Sequence, residues 1–411
     1  ARGRVKRRTL VRGKGGETPF KKFLKGIFSS YLDTIYNQID FQKVSLSFDI
    51  KRKTLLFLYE SFILFLTEKN TNNRKARLFL YSNIYKSYGT REMENRQVLK
   101  DVRKNGKVND WQGKKKGNIQ YADLLSELRY RKADRVKECA DILQFTRNEE
   151  GRLKLHQTWF CGSRLCPVCN WRKSLKHSNQ VIQIVNAAVK KYPKGRFLFW
   201  TLTTKNVFTG KELSEEISKM NKAFDLMMKY KKIKKNMLGY LKATEVTVNQ
   251  KDGSYNQHLH VLVFVKSTYF SGKSDNYISQ AELTEFWKKA LKIDYTPIVN
   301  IKAVKPKADE KEKGVIGAVY ETAKYPVKSI DYLTNDRHEN LQRVDDLEKG
   351  LKRKRLISFG GIFKEIRKEL QLEDIENGNL IKTDSEEDKE LSTGQIIVAR
   401  WNWQRQNYFI D

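Results

Sequence analysis

The chain has 411 residues, and 39% of them are hydrophobic, which excludes a wholly disordered protein and allows about two or three domains. Lys and Arg number 81 against 48 Asp and Glu, so the formal net charge is +33. A surplus of that size favours a polyanionic partner, with nucleic acid as the first choice and an anionic membrane surface as the second. No apolar stretch reaches the roughly 18 residues that span a bilayer, and no secretory signal follows the basic start, so we expect a cytoplasmic protein with no membrane partner.

Residues 1–92 differ in composition from the rest of the chain. They are denser in positive charge, contain no cysteine, and precede the first methionine, Met93. We interpret them as an atypical basic N-terminal extension upstream of the working protein, which would start near Met93. The alternative is a basic arm that binds DNA.

Apolar periodicity predicts the elements that follow. A basic lead-in of loop and helix covers 93–135. The predicted helices are 170–192, 213–227, 281–292, 314–334 and one near 361–371. The predicted strands are 197–203, 240–248, 258–265 and a last one containing 396–403, and the Asp252–Gly253 turn signal lies between the second and third strands. Strands and helices interleaved with a hairpin favour an α+β fold, with a mainly antiparallel sheet and flanking helices. We therefore divide the rest of the chain into the lead-in, a cysteine-rich element with a basic helix (136–195), a core (196–340) and a C-terminal accessory region (341–411).

All four cysteines fall in one short window: Cys139, Cys161, Cys166 and Cys169. The spacing of the last two lets two thiolates bind one metal ion from a tight turn. In a reducing compartment such thiolates hold zinc more often than they form disulfides. We therefore predict a small structural zinc element held by the four cysteines, with His156 or His177 as the alternative to Cys139 for the fourth ligand. The alternative is a set of buried or redox cysteines.

Two of the five histidines, His258 and His260, alternate along a predicted strand and so share one face of it. If Asp252 and Gly253 form the tip of the hairpin, Glu245 pairs with His260 across the ladder. Directly opposed side chains have Cβ atoms about 4.5–5.5 Å apart, so the three side chains can converge. A mixed nitrogen and oxygen set suits Mg²⁺ or Mn²⁺ with open positions for phosphate oxygens. Two ordinary half-buried histidines are the alternative.

Glu321 and Tyr325 are four residues apart, so they face the same side of the predicted helix. Pro326 interrupts or kinks that helix and places Tyr325 at a bend. A tyrosine hydroxyl, with a pKa of about 10, is a poor nucleophile unless a metal or a cation favours its ionisation. Lys324 and Lys328 are nearby cations. The alternative is an amphipathic helix with a core tyrosine and a solvated glutamate.

Together these segments resemble the rolling-circle plasmid replication initiators of Gram-positive bacteria, within the HUH endonuclease superfamily. The matching stretches, in order, are Cys161–Gly–Ser–Arg–Leu–Cys–Pro–Val–Cys169, Phe199–Trp–Thr–Leu–Thr–Thr204, His258–Leu–His260, and Glu321 and Tyr325 followed by Lys328. The resemblance covers roughly residues 135–335, and residues 1–92 have no counterpart in it. It implies an HUH nuclease-like fold, with the nicking core in residues 196–340.

The resemblance also implies a reaction. Tyr325 would attack a phosphodiester at a hairpin in the double-strand origin, form a 5′-phosphotyrosine link, and free a 3′-OH for a polymerase. His258, His260 and Glu245 would hold the divalent metal that polarises the phosphate. Glu321 would activate water for the terminating cleavage.

The partners implied are plasmid origin DNA, a host helicase and polymerase, and a second copy of the chain. Residues expected at the DNA, by direct contact or by base stacking, are Arg164, Arg172, Lys173, Lys324, Trp171, Arg400, Trp401, Trp403 and Arg405. For the tryptophans and for Arg172, Arg400 and Arg405, packing in the core or at its rim is the alternative. One alternative is a relaxase or transposase-type HUH nuclease, which would use the same pair of histidines and a nucleophilic tyrosine. A non-catalytic zinc DNA-binding regulator would explain the charge and the cysteines but not the Glu/His/His and Glu/Tyr sets.

Overall fold

The structure is a computed structural model, and it describes residues 96–103, 106–147, 151–271, 276–304, 317, 319–320, 322, 327–374, 378–381, 383 and 396–411. All of these residues belong to the unit formed by residues 95–411. The two interpretations of residues 1–92 therefore lie outside the described residues. Glu321, Lys324 and Tyr325 also lie outside them.

The described helices and strands are interleaved along the chain. The helices are α1 (Trp111–Glu127), α2 (Ala133–Lys137), α3 (Pro167–Lys191), α4 (Gly210–Met227), α5 (Lys231–Asn236), α6 (Gln280–Leu291), α7 (Arg337–Gly350) and α8 (Ile362–Glu369). The strands are β1 (Ile142–Arg147), β2 (Leu153–Thr158), β3 (Arg196–Thr203), β4 (Met237–Val248), β5 (Tyr255–Val265), β6 (Val299–Val304), β7 (Ile357–Gly361), β8 (Ile397–Asn402) and β9 (Asn407–Ile410). Within the described ranges, no helix is both long and apolar enough to cross a bilayer.

Local sequence fixes where the main helices begin. Thr209 and Glu212 form a reciprocal capping box at the start of α4, and Ser279 and Glu282 form another at the start of α6. Pro167 occupies the first turn of α3, where its missing N–H costs nothing. These signals define the first turns of α3, α4 and α6.

The larger sheet has five antiparallel strands in the order β6-β3-β5-β4-β7. Successive side chains of a strand point to opposite faces, so each strand serves two cores. One face packs on α4 and α6 through a cluster that includes Leu259 and Val261 of β5. The other face packs on α3 and α8 through a cluster that includes Leu262 and Phe264. His258 and His260 have the parity of Leu262, so they lie on the α3 and α8 face.

The smaller sheet has four antiparallel strands in the order β2-β1-β8-β9. A third core, the cysteine core, joins this sheet to α1, the four cysteines and one end of the larger sheet. It contains Val246 of β4, Tyr255 of β5, and Val327 and Tyr332 from the segment before α7. One continuous apolar cluster therefore connects the cysteine-rich region with the strands that carry Glu245 and the histidines.

The α+β class with antiparallel sheets and flanking helices is confirmed. The helix predicted over 314–334 is wrong at its C-terminal end, because Val327 and Lys328 are not helical and a 3-10 turn covers Ser329–Asp331. The division of the chain into segments stays a prediction. The region after residue 341 supplies a strand, β7, to the larger sheet and two strands to the smaller one.

Candidate active site

Glu245, His258 and His260 lie together on one face of the larger sheet. Oε2 of Glu245 is 3.3 Å from Nε2 of His258 and 2.9 Å from Nε2 of His260. One donor atom from each side chain lies within 4.8 Å of the other two, which is the spacing of a group that can hold one metal ion. The histidine side chains keep 13% of their surface exposed, so a ligand can reach them.

The predicted hairpin register is wrong by two residues. Glu245 pairs with His258 rather than with His260, and His260 pairs with Ala243. The reason lies in the turn, which is centred between Lys251 and Asp252 rather than between Asp252 and Gly253. A shift of two residues keeps every side chain on its original face, so the three side chains still converge.

Neighbouring strands and the segment after residue 326 orient the cluster. Thr201 of β3 pairs with His260, and its Oγ1 is 3.4 Å from Nδ1 of that ring. The ring of Phe199 stacks on His260 with the centroids 5.3 Å apart. Nζ of Lys328 is 3.7 Å from Oε1 of Glu245. Sequence reasoning missed Thr201 and Phe199, although the strand over 197–203 carried the signal, because its pairing with β5 could not be assigned.

The electrostatics of the cluster favour an ionised carboxylate. Burial alone would raise the pKa of Glu245, but hydrogen bonds from His258 and His260 outweigh it and hold that pKa well below its ordinary value. Lys328 adds a further positive charge near the same carboxylate. The arrangement therefore offers one anionic oxygen and two imidazole nitrogens to a cation.

The helix predicted to carry the nucleophile is described only in part. Gly317, Val319, Tyr320 and Thr322 are helical. Val319 is fully buried in the core that α3 and α8 form with the sheet, which is the face that carries the histidines. Glu321, Lys324 and Tyr325 lie outside the described residues, so their roles stay predictions.

The four cysteines are all buried and come together in one cluster, as the sequence predicted. His177, one suggested substitute ligand, lies elsewhere, with its ring 6.3 Å from the ring of Phe359. Complete burial, with a smaller effect from Arg367, lowers the pKa of His177 to about 3. That histidine is therefore a neutral core residue.

Three of the residues expected at the DNA are inside the protein. Arg172 is buried and donates to the carbonyl oxygens of Leu380 and Ile381 at 2.9 and 2.7 Å, so its guanidinium group packs inside the protein rather than at the surface. Trp171 and Trp401 are also buried and serve the cysteine core rather than base stacking.

Other predicted DNA contacts remain accessible. Lys173 is half-buried, Arg164 donates to the carbonyl oxygen of Leu351, and Trp403 is 45% exposed. Nζ of Lys115 and Nζ of Lys137 lie 5.7 and 5.6 Å from the Trp403 ring. These contacts with DNA stay predictions.

Known proteins that are similar to this chain are replication proteins. A model of a family described as replication protein matches residues 152–409. A "Protein rep" of Lentilactobacillus hilgardii is 50% identical over 315 residues, which cover 77% of this chain and 99% of that protein. A "Protein rep" of Streptococcus pneumoniae is 50% identical over 316 residues (76% and 96%), and a "Replication protein" of Staphylococcus aureus is 51% identical over 236 residues (57% and 99%). No solved structure shows a significant match.

The fold and the site together define an α+β protein whose antiparallel sheet presents a Glu/His/His set on one face. The chain belongs to the replication-protein family. The resemblance to the rolling-circle plasmid replication initiators of Gram-positive bacteria is thereby confirmed at the level of the family.

Proposed function

We propose that the protein initiates rolling-circle replication of a plasmid by binding the double-strand origin and nicking one strand through Tyr325. The single observation that carries the proposal is the convergence of Glu245, His258 and His260 on the sheet of a replication-family chain. The net charge of +33 supports a partner that is a polyanion. Such a protein works in the cytoplasm, with a host helicase and polymerase and, as one option, as a homodimer.

The donor set fits Mg²⁺ or Mn²⁺. The carboxylate oxygen favours Mg²⁺ or Mn²⁺, and three protein ligands leave positions for phosphate oxygens, which these metals also prefer. Glu245, His258 and His260 would hold the ion, whose chemistry would be to polarise the scissile phosphate. Thr201 and Phe199 fix the orientation of the His260 ring.

The bond changes follow from the residues of the chain. The Tyr325 oxygen forms a bond to phosphorus, the bond from phosphorus to the 3′ oxygen breaks, and the leaving strand takes up a proton to end as a 3′-OH. The number of phosphodiester-type bonds does not change, so no external energy source is required. Lys328, whose ammonium group lies near Glu245, is three residues from Tyr325 in the sequence and would favour the ionised tyrosine.

Glu321 acts as the general base in the cleavage that ends a round of replication. A protein with one nucleophilic tyrosine would remain joined to DNA if it closed the circle by the same step alone. Glu321, four residues before Tyr325 in the sequence, accepts a proton from the water that makes the terminating cleavage.

A nicking assay on a supercoiled plasmid that carries the protein's own origin tests the proposal. Tyr325→Phe should lower the nicking rate by a factor on the order of 10,000, because the nucleophile is lost. Tyr320→Phe is the matched control, since Tyr320 precedes Tyr325 by five residues in the sequence and is 53% exposed. Nicking by Tyr325→Phe at the rate of the unaltered protein would overturn the assignment, and nicking by neither protein would favour a non-catalytic DNA-binding regulator.

A further inference from the structure

The four cysteines form a site that the nicking chemistry does not use. Sγ of Cys139 is 3.6 Å from Sγ of Cys169 and 3.7 Å from Sγ of Cys166, and Sγ of Cys161 is 3.6 Å from Sγ of Cys169. A tetrahedral zinc ion with Zn–S bonds of about 2.3 Å has S···S edges of about 3.8 Å. Disulfide sulfurs lie about 2.05 Å apart, and all four cysteines are free. The separations therefore match a shared metal ion.

Three N–H groups point at the sulfurs of the cluster. The backbone N–H of Cys161 donates to Sγ of Cys139, and the backbone N–H of Gly162 donates to Sγ of Cys169, both at 3.3 Å. The side-chain amide of Asn118 in α1 donates to Sγ of Cys166 at 3.3 Å. Three donors aimed at sulfur give the outer hydrogen bonds that steady metal-bound thiolates.

The site is closed. Exposure of the four cysteines ranges from 0% to 6%, and four sulfurs complete a tetrahedron, so no position remains for water or substrate. The ion would therefore be structural. It would join three separate stretches of chain, because Cys139 follows α2, Cys161 follows β2, and Cys166 and Cys169 begin α3.

The loop between Cys161 and Cys166 in turn receives the segment that follows the predicted nucleophile. The hydroxyl of Tyr332 donates to the carbonyl oxygen of Leu165, and Tyr332 is fully buried. Val327 and Tyr332 belong to the same core as the cysteines. Between them, Lys328 reaches the Glu245 carboxylate.

We propose that the four cysteines hold one structural zinc ion. We also propose that this ion fixes the conformation of the loop between Cys161 and Cys166, and that residues 327–333, which bring Lys328 to Glu245, pack on that loop. Neither part depends on the proposed nicking reaction. Zinc removal would loosen residues 327–333 even in a protein that cannot cut DNA.

Metal analysis of untagged protein, purified without added zinc, tests the first part. We expect one zinc per chain, released in full when a mercurial reagent titrates four thiols. Cys161→Ser should lower the zinc content by half or more, and His156→Ala, the matched control at the other suggested substitute ligand, should retain it. A metal-free protein with four titratable thiols, or one that carries a disulfide, would overturn the zinc assignment.

Hydrogen exchange of the peptides that cover residues 327–333 tests the second part. Tyr332→Phe keeps the buried ring but removes the hydroxyl, so we expect unchanged zinc content and exchange in this segment about 10-fold faster, the effect of one lost buried hydrogen bond. Tyr255→Phe is the control, because Tyr255 is as deeply buried in the same core but donates to Asp346 instead. Exchange that is equally fast in both variants, or unchanged in Tyr332→Phe, would show that residues 327–333 do not depend on packing against the loop between Cys161 and Cys166.

Discussion

Glu245 and His258 face each other directly across the β4–β5 ladder, with Oε2 of the glutamate 3.3 Å from Nε2 of the histidine. The same oxygen is 2.9 Å from Nε2 of His260, whose partner across the ladder is Ala243. The donor set is thus built into two neighbouring strands of one sheet. No loop has to close to assemble it.

The first prediction concerns metal binding. Glu245→Gln keeps the size of the side chain but removes the anionic oxygen, so Mn²⁺ should bind about 10–100-fold more weakly. Electron paramagnetic resonance of free Mn²⁺ measures this directly. Glu215→Gln, at an exposed carboxylate of α4, is the control. Equal affinity in the two variants would remove Glu245 from the ligand set.

The second prediction separates the two cleavages. Glu321→Ala should leave the first nick near its normal rate but slow the release of closed product by about 100-fold or more, because the water would lack its base. Gel analysis of a plasmid with two origins reports both steps. Termination at the normal rate would assign the base to another residue.

The third prediction is a pH dependence of stability. Burial lowers the pKa of Lys242 from 10.5 to about 8, and its Nζ donates to Oδ1 of Asn221 at 2.7 Å. Below pH 8 the folded protein carries the desolvated charge. Between pH 8 and 10.5 the unfolded chain binds more protons than the folded protein does, so this residue's contribution to stability rises with pH.

Lys242→Met should therefore raise the free energy of unfolding at pH 7 by about 1–3 kcal/mol. The difference from the unaltered protein should shrink as the pH rises above 8. Urea unfolding of both proteins across this range measures it. A difference that stays constant with pH would show that Lys242 does not titrate within that range.

The fourth prediction tests a close approach of two strands. Gly361 has φ of +56° at the junction of β7 and α8, and a Cβ atom there would lie 2.2 Å from the carbonyl oxygen of Leu238. Gly361→Ala should cost about 3 kcal/mol or more, from backbone strain and the clash together. Gly151→Ala is the control, because Gly151 has φ of +76° but open space around it, and should cost only about 1–2 kcal/mol. Similar losses in the two variants would contradict the close approach.

In the β4–β5 hairpin, the face on which the three side chains lie could be predicted from the sequence, but the register of the strands could not. Alternation alone put His258 and His260 on one face, and parity put Glu245 with them. The exact register depended on local hydrogen bonds, because Oδ1 of Asn249 accepts from the N–H of Lys251 and Oδ1 of Asp252 accepts from the N–H of Ser254. A two-residue turn signal does not reveal those bonds. The error was harmless only because it was an even number of residues.

The burial of Arg172 and the positions of the edge strands depend on contacts between residues far apart in the chain, so they could not be predicted from local sequence. The pattern of α3 marks Arg172 as one of several basic residues, and nothing local indicates that it donates to carbonyl oxygens of Leu380 and Ile381, more than 200 residues away. The edge strands β6 and β7 were missed because both are short, and β7 ends in two glycines. The cysteine cluster, by contrast, was predictable because its spacing is local.

The central claim is that Tyr325 becomes covalently joined to DNA. Mass spectrometry of peptides from a reaction with an oligonucleotide that carries the origin's cleavage site tests it most directly. Of the 19 tyrosines, we predict a nucleotide adduct on Tyr325 alone, absent in Tyr325→Phe and retained in Tyr320→Phe. An adduct on another residue, or cleaved DNA with no adduct on the protein, would contradict the account.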